Sequence, residues 1–295
     1  MPKPRSSTDS ARFTSLAQRH PLLTFFTLAY VLAWIVWLPY VLGEEGTGTL
    51  ALPVPIYYVG VGTFIGPALA AIVVTKALAG PDGVQRLLRR ILHWRVALRW
   101  WLISFLGIPA LYAIATVLGS GSDLRPSVLV TYYPWRLALV FLFGGPLGEE
   151  IGWRGFALPR MEERFGPLRG TLLLGVGWAW WHLPLGLFTQ WRGDTAIAIW
   201  LPFYTLVATA LGVFIAWVYN HTGSLLLAML IHAVNNAFGG VVRRIFRDEE
   251  IADTVGSLGA VLYLPAAVLI IALTRRRLSW RRDGPQSDAA APARP

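Results

Sequence analysis

The chain has 295 residues, 55% of them hydrophobic and 14% charged, where a soluble domain carries roughly a quarter charged; this excludes an ordinary soluble fold and predicts an all-α, polytopic membrane protein. The formal net charge of +10 sits in the tails and between apolar runs, a topology signal of an inner-membrane protein and not a nucleic-acid surface. There is no cysteine, so disulfides and thiol or Cys-zinc chemistry are excluded.

Residues 1–20 are polar and basic, through Lys3, Arg5, Arg12 and Arg19, and read as a disordered or surface-lying cytoplasmic tail. A first span is expected over 21–42. It is too long for a cleavable signal peptide and lacks a small-residue cleavage site. A second span covers about 54–78, with Gly60, Gly62, Gly66 and Ala70 as small faces for close helix contact. Over 80–100, Leu87, Leu88, Ile91, Leu92 and Val96 recur at helical spacing against Arg86, Arg89, Arg90, Arg95 and Arg99. That pattern predicts an amphipathic helix resting on an anionic membrane face, with His93 at the interface.

Further spans are expected over about 100–118, 135–158, 171–188, 196–219, 225–238 and 255–273, about eight in all. Ser224 is a plausible N-cap for the seventh. The residues divide into N-terminal spans (21–134), a core (135–240), a last loop and span (241–274) and a basic, then Pro/Ala-rich tail (275–295). An even number of spans puts both tails, the 80–100 segment and the 159–169 loop on one side. The positive-inside rule makes that side cytoplasmic.

The stretch GGPLGEEIGWRGFALPRM, 144–161, sets Glu149, Glu150 and Arg154 in an otherwise apolar run. Ionised groups at that depth cost several kcal/mol unless they are paired or face a polar cavity. Glu150 and Arg154 are four apart and can pair on one helical face. Glu149 is rotated by about 100° from Glu150 and has no such partner nearby in sequence. The other strongly polar groups within spans are His182, His232, Asn235 and Asn236. They fall on spans five and seven, so a site is expected between spans four, five and seven. Trp178 and His182 are four apart, as are His232 and Asn236.

Peptide hydrolysis needs a base to activate water and donors for the developing oxyanion. Glutamate, histidine and asparagine supply both. Ser104 and Thr209 lie in spans with no base beside them in sequence, and HExxH is absent. Zinc held by Glu149, His182 and His232 is an alternative, since two His and one Glu form a known catalytic ligand set.

The order EExxxR (Glu149 to Arg154), an aromatic four before a histidine (Trp178 to His182) and HxxxN (His232 to Asn236) resembles the CAAX prenyl protease and bacteriocin-processing family of intramembrane endopeptidases. The resemblance covers about 135–240. It implies Glu149 as general base, His182 as a holder of the attacking water and His232 with Asn236 as the oxyanion site. Glu150, Arg154 and Trp178 would shape the site. Trp178 stands where the family usually has Phe, which implies a bulkier wall. The resemblance also implies a peptide or protein substrate at the bilayer, with CAAX-type or bacteriocin-like peptides as the themes. No cofactor is required on this reading. The Arg/Ala/Gly-rich composition fits a bacterial cell membrane. Two other readings keep the same residues: a membrane scaffold or self-immunity protein that binds without cutting, and a transporter relaying protons. Against the transporter, the spans show neither internal repeat nor paired broken helices. Oligomeric state is not legible.

Overall fold

The computed structural model describes residues 6–119, 124–189 and 193–284. Parts of the loops expected at 119–127 and 189–194, and the Pro/Ala-rich end of the tail, lie outside the described residues. The helices in chain order are α1 (Ser6–Arg19), α2 (Pro21–Leu42), α3 (Val59–Thr63), α4 (Leu69–Arg89), α5 (Leu98–Leu118), α6 (Val128–Thr131), α7 (Tyr133–Phe143), α8 (Pro146–Gly152), α9 (Leu158–Phe165), α10 (Pro167–Trp181), α11 (Leu183–Phe188), α12 (Ile197–Thr222), α13 (Leu225–Ile245), α14 (Glu249–Val261) and α15 (Tyr263–Leu273). No strand forms among the described residues beyond an isolated bridge between Leu124 and Phe246. The fold is all-α and polytopic: seven helices among the described residues are long and apolar enough to cross a membrane.

The fourth expected span is not one of those seven. It breaks into α7, α8, a π-helical turn at Trp153–Ala157, and α9. The cause is local. Gly144 ends α7, Gly145 adopts φ +110°, and Pro146 restarts the chain as α8. Only glycine takes that φ without strain, and proline suits a helix start because its missing N–H has no partner to lose there. The fifth expected span breaks at His182, just ahead of Pro184. A proline there removes an amide donor and crowds the preceding turn. The last span likewise divides at Leu262, before Pro265.

Expectations about three basic segments change. The amphipathic stretch is a continuation of the second membrane helix, kinked at Gly80 (φ 63°), and it ends at Leu92 instead of reaching residue 100. Arg90, expected at the lipid face, is buried, and its Nη1 donates to Tyr219 Oη at 3.0 Å. The seventh span runs beyond the expected end at 238, through Arg243 and Arg244. Residues 6–19 of the N-terminal tail are helical, with Ala17 fully buried. Ser224 caps α13 as expected: its Oγ accepts from Leu227 N at 3.3 Å and donates to His93 O at 2.6 Å.

Lipid tails give no hydrophobic drive between helices, so close packing and hydrogen bonds do the work of association. A line of buried rings joins α2 to α10 through the π turn: Phe25 on Trp153 at 5.5 Å, Trp153 on Trp181 at 5.6 Å and Trp181 on Trp37 at 4.5 Å. Each such pair adds about 0.5–1.5 kcal/mol beyond area. α8 meets the second membrane helix through Gly148 and Gly152. A Cβ on Gly148 would stand 2.8 Å from Thr63 O, and one on Gly152 2.6 Å from Pro67 O. These two glycines flank the acidic pair and let its helix sink into the bundle.

Candidate active site

Glu149, Arg154, His182 and His232 lie around the indole of Trp178, Glu150 touches Arg154 and His232, and Asn236 bonds to Gly144 and Asn235. Glu149 and Glu150 come from α8, Arg154 from the π turn after it, Trp178 from α10, His182 from the break at its end, and His232 and Asn236 from α13. Glu149, Glu150, Arg154, His182 and His232 are all buried.

The two acids have different surroundings. Glu150 Oε1 accepts from Arg154 Nη1 at 2.9 Å and lies 2.7 Å from His232 Nδ1. It thus holds a cation and an imidazole at once, and the expected pairing with Arg154 is present. Glu149 Oε2 instead accepts from the neutral indole Nε1–H of Trp178 at 2.6 Å. The positive φ of Gly145 matters here a second time: a Cβ on that residue would lie 2.5 Å from Glu149 Oε1. The break before α8 therefore leaves room for the acid as well as turning the chain.

Trp178 was expected only as a bulky wall. Its ring also carries the Arg154 guanidinium, Cζ 4.5 Å from the centroid, within cation–π range. The His232 ring meets it edge-on at 5.1 Å and the His182 ring at 6.1 Å. A phenylalanine could offer the face but not the donor. The signal was present in the residue type, because a buried indole N–H needs an acceptor.

His182 Nδ1 lies 3.0 Å from Trp178 O. A carbonyl only accepts, so Nδ1 carries the proton, and Nε2 of the neutral ring is an acceptor. Trp37, Trp181 and Tyr204 surround this ring at 6.4, 4.7 and 5.7 Å. Trp37 and Tyr204 come from helices that sequence reasoning did not connect to the site. Asn236 Nδ2 donates to Gly144 O at 3.4 Å, tying α13 to the break before α8. Asn235, noted only as polar, is hydrogen-bonded on both sides, to Asn236 and to Tyr263. Ser104 spends its hydroxyl on Trp100 O at 2.7 Å.

Among the described residues, no three His, Cys, Asp or Glu side chains form a group that could hold a metal ion. Nδ1 of each histidine is engaged by Trp178 O or Glu150, and Glu149 by Trp178.

A family model described as "Type II CAAX prenyl endopeptidase Rce1-like" matches residues 131–238, which span α7 to α13 and hold every residue of the cluster. A relative named CAAX prenyl protease 2, from Methanococcus maripaludis, is 31% identical over 129 residues, covering 42% of this chain and 45% of that protein. The chain thus matches a little under half the length of that relative. The order of the motifs and these two matches agree: residues 131–238 of this multi-pass membrane protein are similar to the Rce1-like CAAX prenyl endopeptidases.

Proposed function

We propose that this chain is an intramembrane endopeptidase that cleaves a peptide bond of a membrane-associated, CAAX-type substrate with water activated by Glu149. The observation that carries this reading is the unequal bonding of two adjacent acids. Glu150 is committed to Arg154 and His232, whereas the donor to Glu149 is a neutral indole. A carboxylate bound to a cation resists proton uptake, while one in an apolar site with neutral donors can exchange a proton.

Glu149 takes a proton from water, and the water oxygen attacks the scissile carbonyl carbon. His182 Nε2, an acceptor while Nδ1–H faces Trp178 O, holds the water's second O–H. The carbonyl π pair moves onto oxygen, and the oxyanion is met by Asn236 Nδ2–H and by Nε2–H of His232. Donation from His232 Nε2 uses the imidazolium, whose Nδ1–H Glu150 accepts. Collapse breaks the C–N bond, and Glu149 returns its proton to the leaving amine. The site then regenerates without net charge change.

The substrate class rests on the name of the archaeal relative and on the family model. Bacteriocin-like peptides are the runner-up substrates. Cytoplasmic termini in a bacterial membrane are supported by the basic tails and by the composition. The test is cleavage of an internally quenched farnesylated CAAX peptide in liposomes, beside its unprenylated twin and with or without a chelator. Wild-type cleavage that vanishes in Glu149→Ala and survives chelation is the expected result. Full turnover by Glu149→Ala would remove the mechanism, and binding without cleavage by wild type would make the chain a scaffold.

A further inference from the structure

Asn236 stands at one end of a run of side-chain hydrogen bonds that reaches the last membrane helix, where Tyr263 also bonds to Tyr112 of α5. Tyr263 Oη donates to Asn235 Oδ1 at 2.8 Å, Asn235 Nδ2 to Asn236 Oδ1 at 2.8 Å, and Asn236 Nδ2 to Gly144 O at 3.4 Å. Tyr263 belongs to α15 and is buried. It lies outside the residues that the family model matches.

The run has one workable polarity. Gly144 O can only accept, so it selects the Nδ2 end of Asn236. That turns Asn236 Oδ1 toward Asn235, which must answer with Nδ2. Asn235 Oδ1 then faces Tyr263, whose hydroxyl must donate. The reverse setting puts Asn236 Oδ1 against Gly144 O, two acceptors without a proton between them. That setting loses the hydrogen bond and sets two oxygens against each other. An asparagine amide without this restraint can turn by half a revolution, and its oxygen would then repel a developing oxyanion.

We propose that Tyr263 and Asn235 are positioning residues: they lock the amide of Asn236 so that Nδ2–H, and not Oδ1, is presented to the reacting carbonyl. One N–H of Nδ2 is used on Gly144 O, and the other is the one offered to the oxyanion. This inference rests on the assignment of Asn236 as an oxyanion donor made above. It extends the working unit to the last membrane helix, which the short motifs do not reach.

The variant that isolates it is Tyr263→Phe, which keeps the ring and removes the hydroxyl. In the liposome assay with the farnesylated peptide, kcat falls roughly tenfold, a fraction of the 10²–10³ carried by a whole oxyanion donor. KM holds, and the thermal midpoint in detergent falls no more than loss of the Tyr263 hydroxyl's hydrogen bonds explains. In an Asn236→Ala background, followed over long single-turnover incubations, Tyr263→Phe changes the residual rate less than about twofold, because the positioned group is gone. Asn235→Leu, similar in shape but without polar ends, lowers kcat at least as much as Tyr263→Phe and is not additive with it. If wild type cleaves but Tyr263→Phe retains full kcat, or if its effect persists undiminished without Asn236, the positioning role is overturned while the protease reading stands. If wild type does not cleave, both fall together.

Discussion

Glu150 and Glu162 are two fully buried carboxylates held in opposite ways. Glu150, inside the bundle, is bound by the Arg154 guanidinium and the His232 ring. Glu162, on α9 beyond the membrane part of the fourth segment, has neutral partners: Asn220 Nδ2 at 2.6 Å and Thr171 Oγ1 at 3.2 Å. Burial pushes the Glu162 carboxyl up from 4.5 to about 8, and the two hydrogen bonds only partly oppose that. Burying a charge is costly wherever it happens. Cationic partners meet that cost at Glu150, whereas at Glu162 a proton does. Glu149 has the second kind of donor, in Trp178, and it sits beside the first kind of cluster. An acid on a neutral donor beside one held by Arg154 and His232 is the contrast on which the proposed hydrolysis rests.

Glu149→Gln breaks the comparison at its most exposed point. The shape stays and the base goes, so cleavage falls by about a thousandfold or more, with the protein still inserted and folded by thermal unfolding in detergent. Next come Glu150→Ala and Arg154→Ala. Each leaves a buried charge uncompensated, a loss of about 3–5 kcal/mol. Thermal midpoint and activity should drop together, and wild-type stability in both would refute the paired role. Trp178→Phe sharpens the contrast, since it leaves a face for Arg154 but no donor for Glu149. It should cost roughly tenfold in kcat, as for a lost hydrogen bond to a charged group, with little change in KM. The Tyr263→Phe effect is of similar size and separable from it, because only that one disappears with Asn236.

The smallest effect belongs to Glu162. Its carboxyl takes up a proton more readily in the fold than in the unfolded chain, where it titrates near 4.5. Between about 4.5 and about 8 the folded state therefore binds the extra proton, and stability declines as pH rises through that window. Glu162→Gln should remove this slope, so its advantage over wild type in thermal midpoint grows from pH 5 to pH 8. An unchanged difference across that range would show that the neutral donors hold the ionised form after all.

Much of the site could be read from residue spacing. Glu150 with Arg154 follows from four-residue periodicity, and Ser224 as a cap from its place before an apolar run. The breaks at Gly144–Pro146 and before Pro184 were visible as residue types, yet the apolar runs on either side masked them as continuous spans. The basic segment misled in another way. Its helical pattern is real as far as Leu92, but Arg90 turns inward because Tyr219 of α12 offers it a hydroxyl there. No local pattern encodes a partner 129 residues away.

The sequence by itself determined that this is a helical membrane protein, that three of its segments carry an unusual set of polar groups, and which acid has a partner one helical turn away. Composition and periodicity suffice for that, because lipid tolerates few polar residues and a helix repeats every 3.6. Only the tertiary structure decided who the distant partners are: His232 on Glu150, the Trp178 indole on Glu149, and Tyr263 behind Asn235 and Asn236. Those contacts depend on how closely helices far apart in the chain approach; for α8 and the second membrane helix, Gly148 and Gly152 permit the close approach.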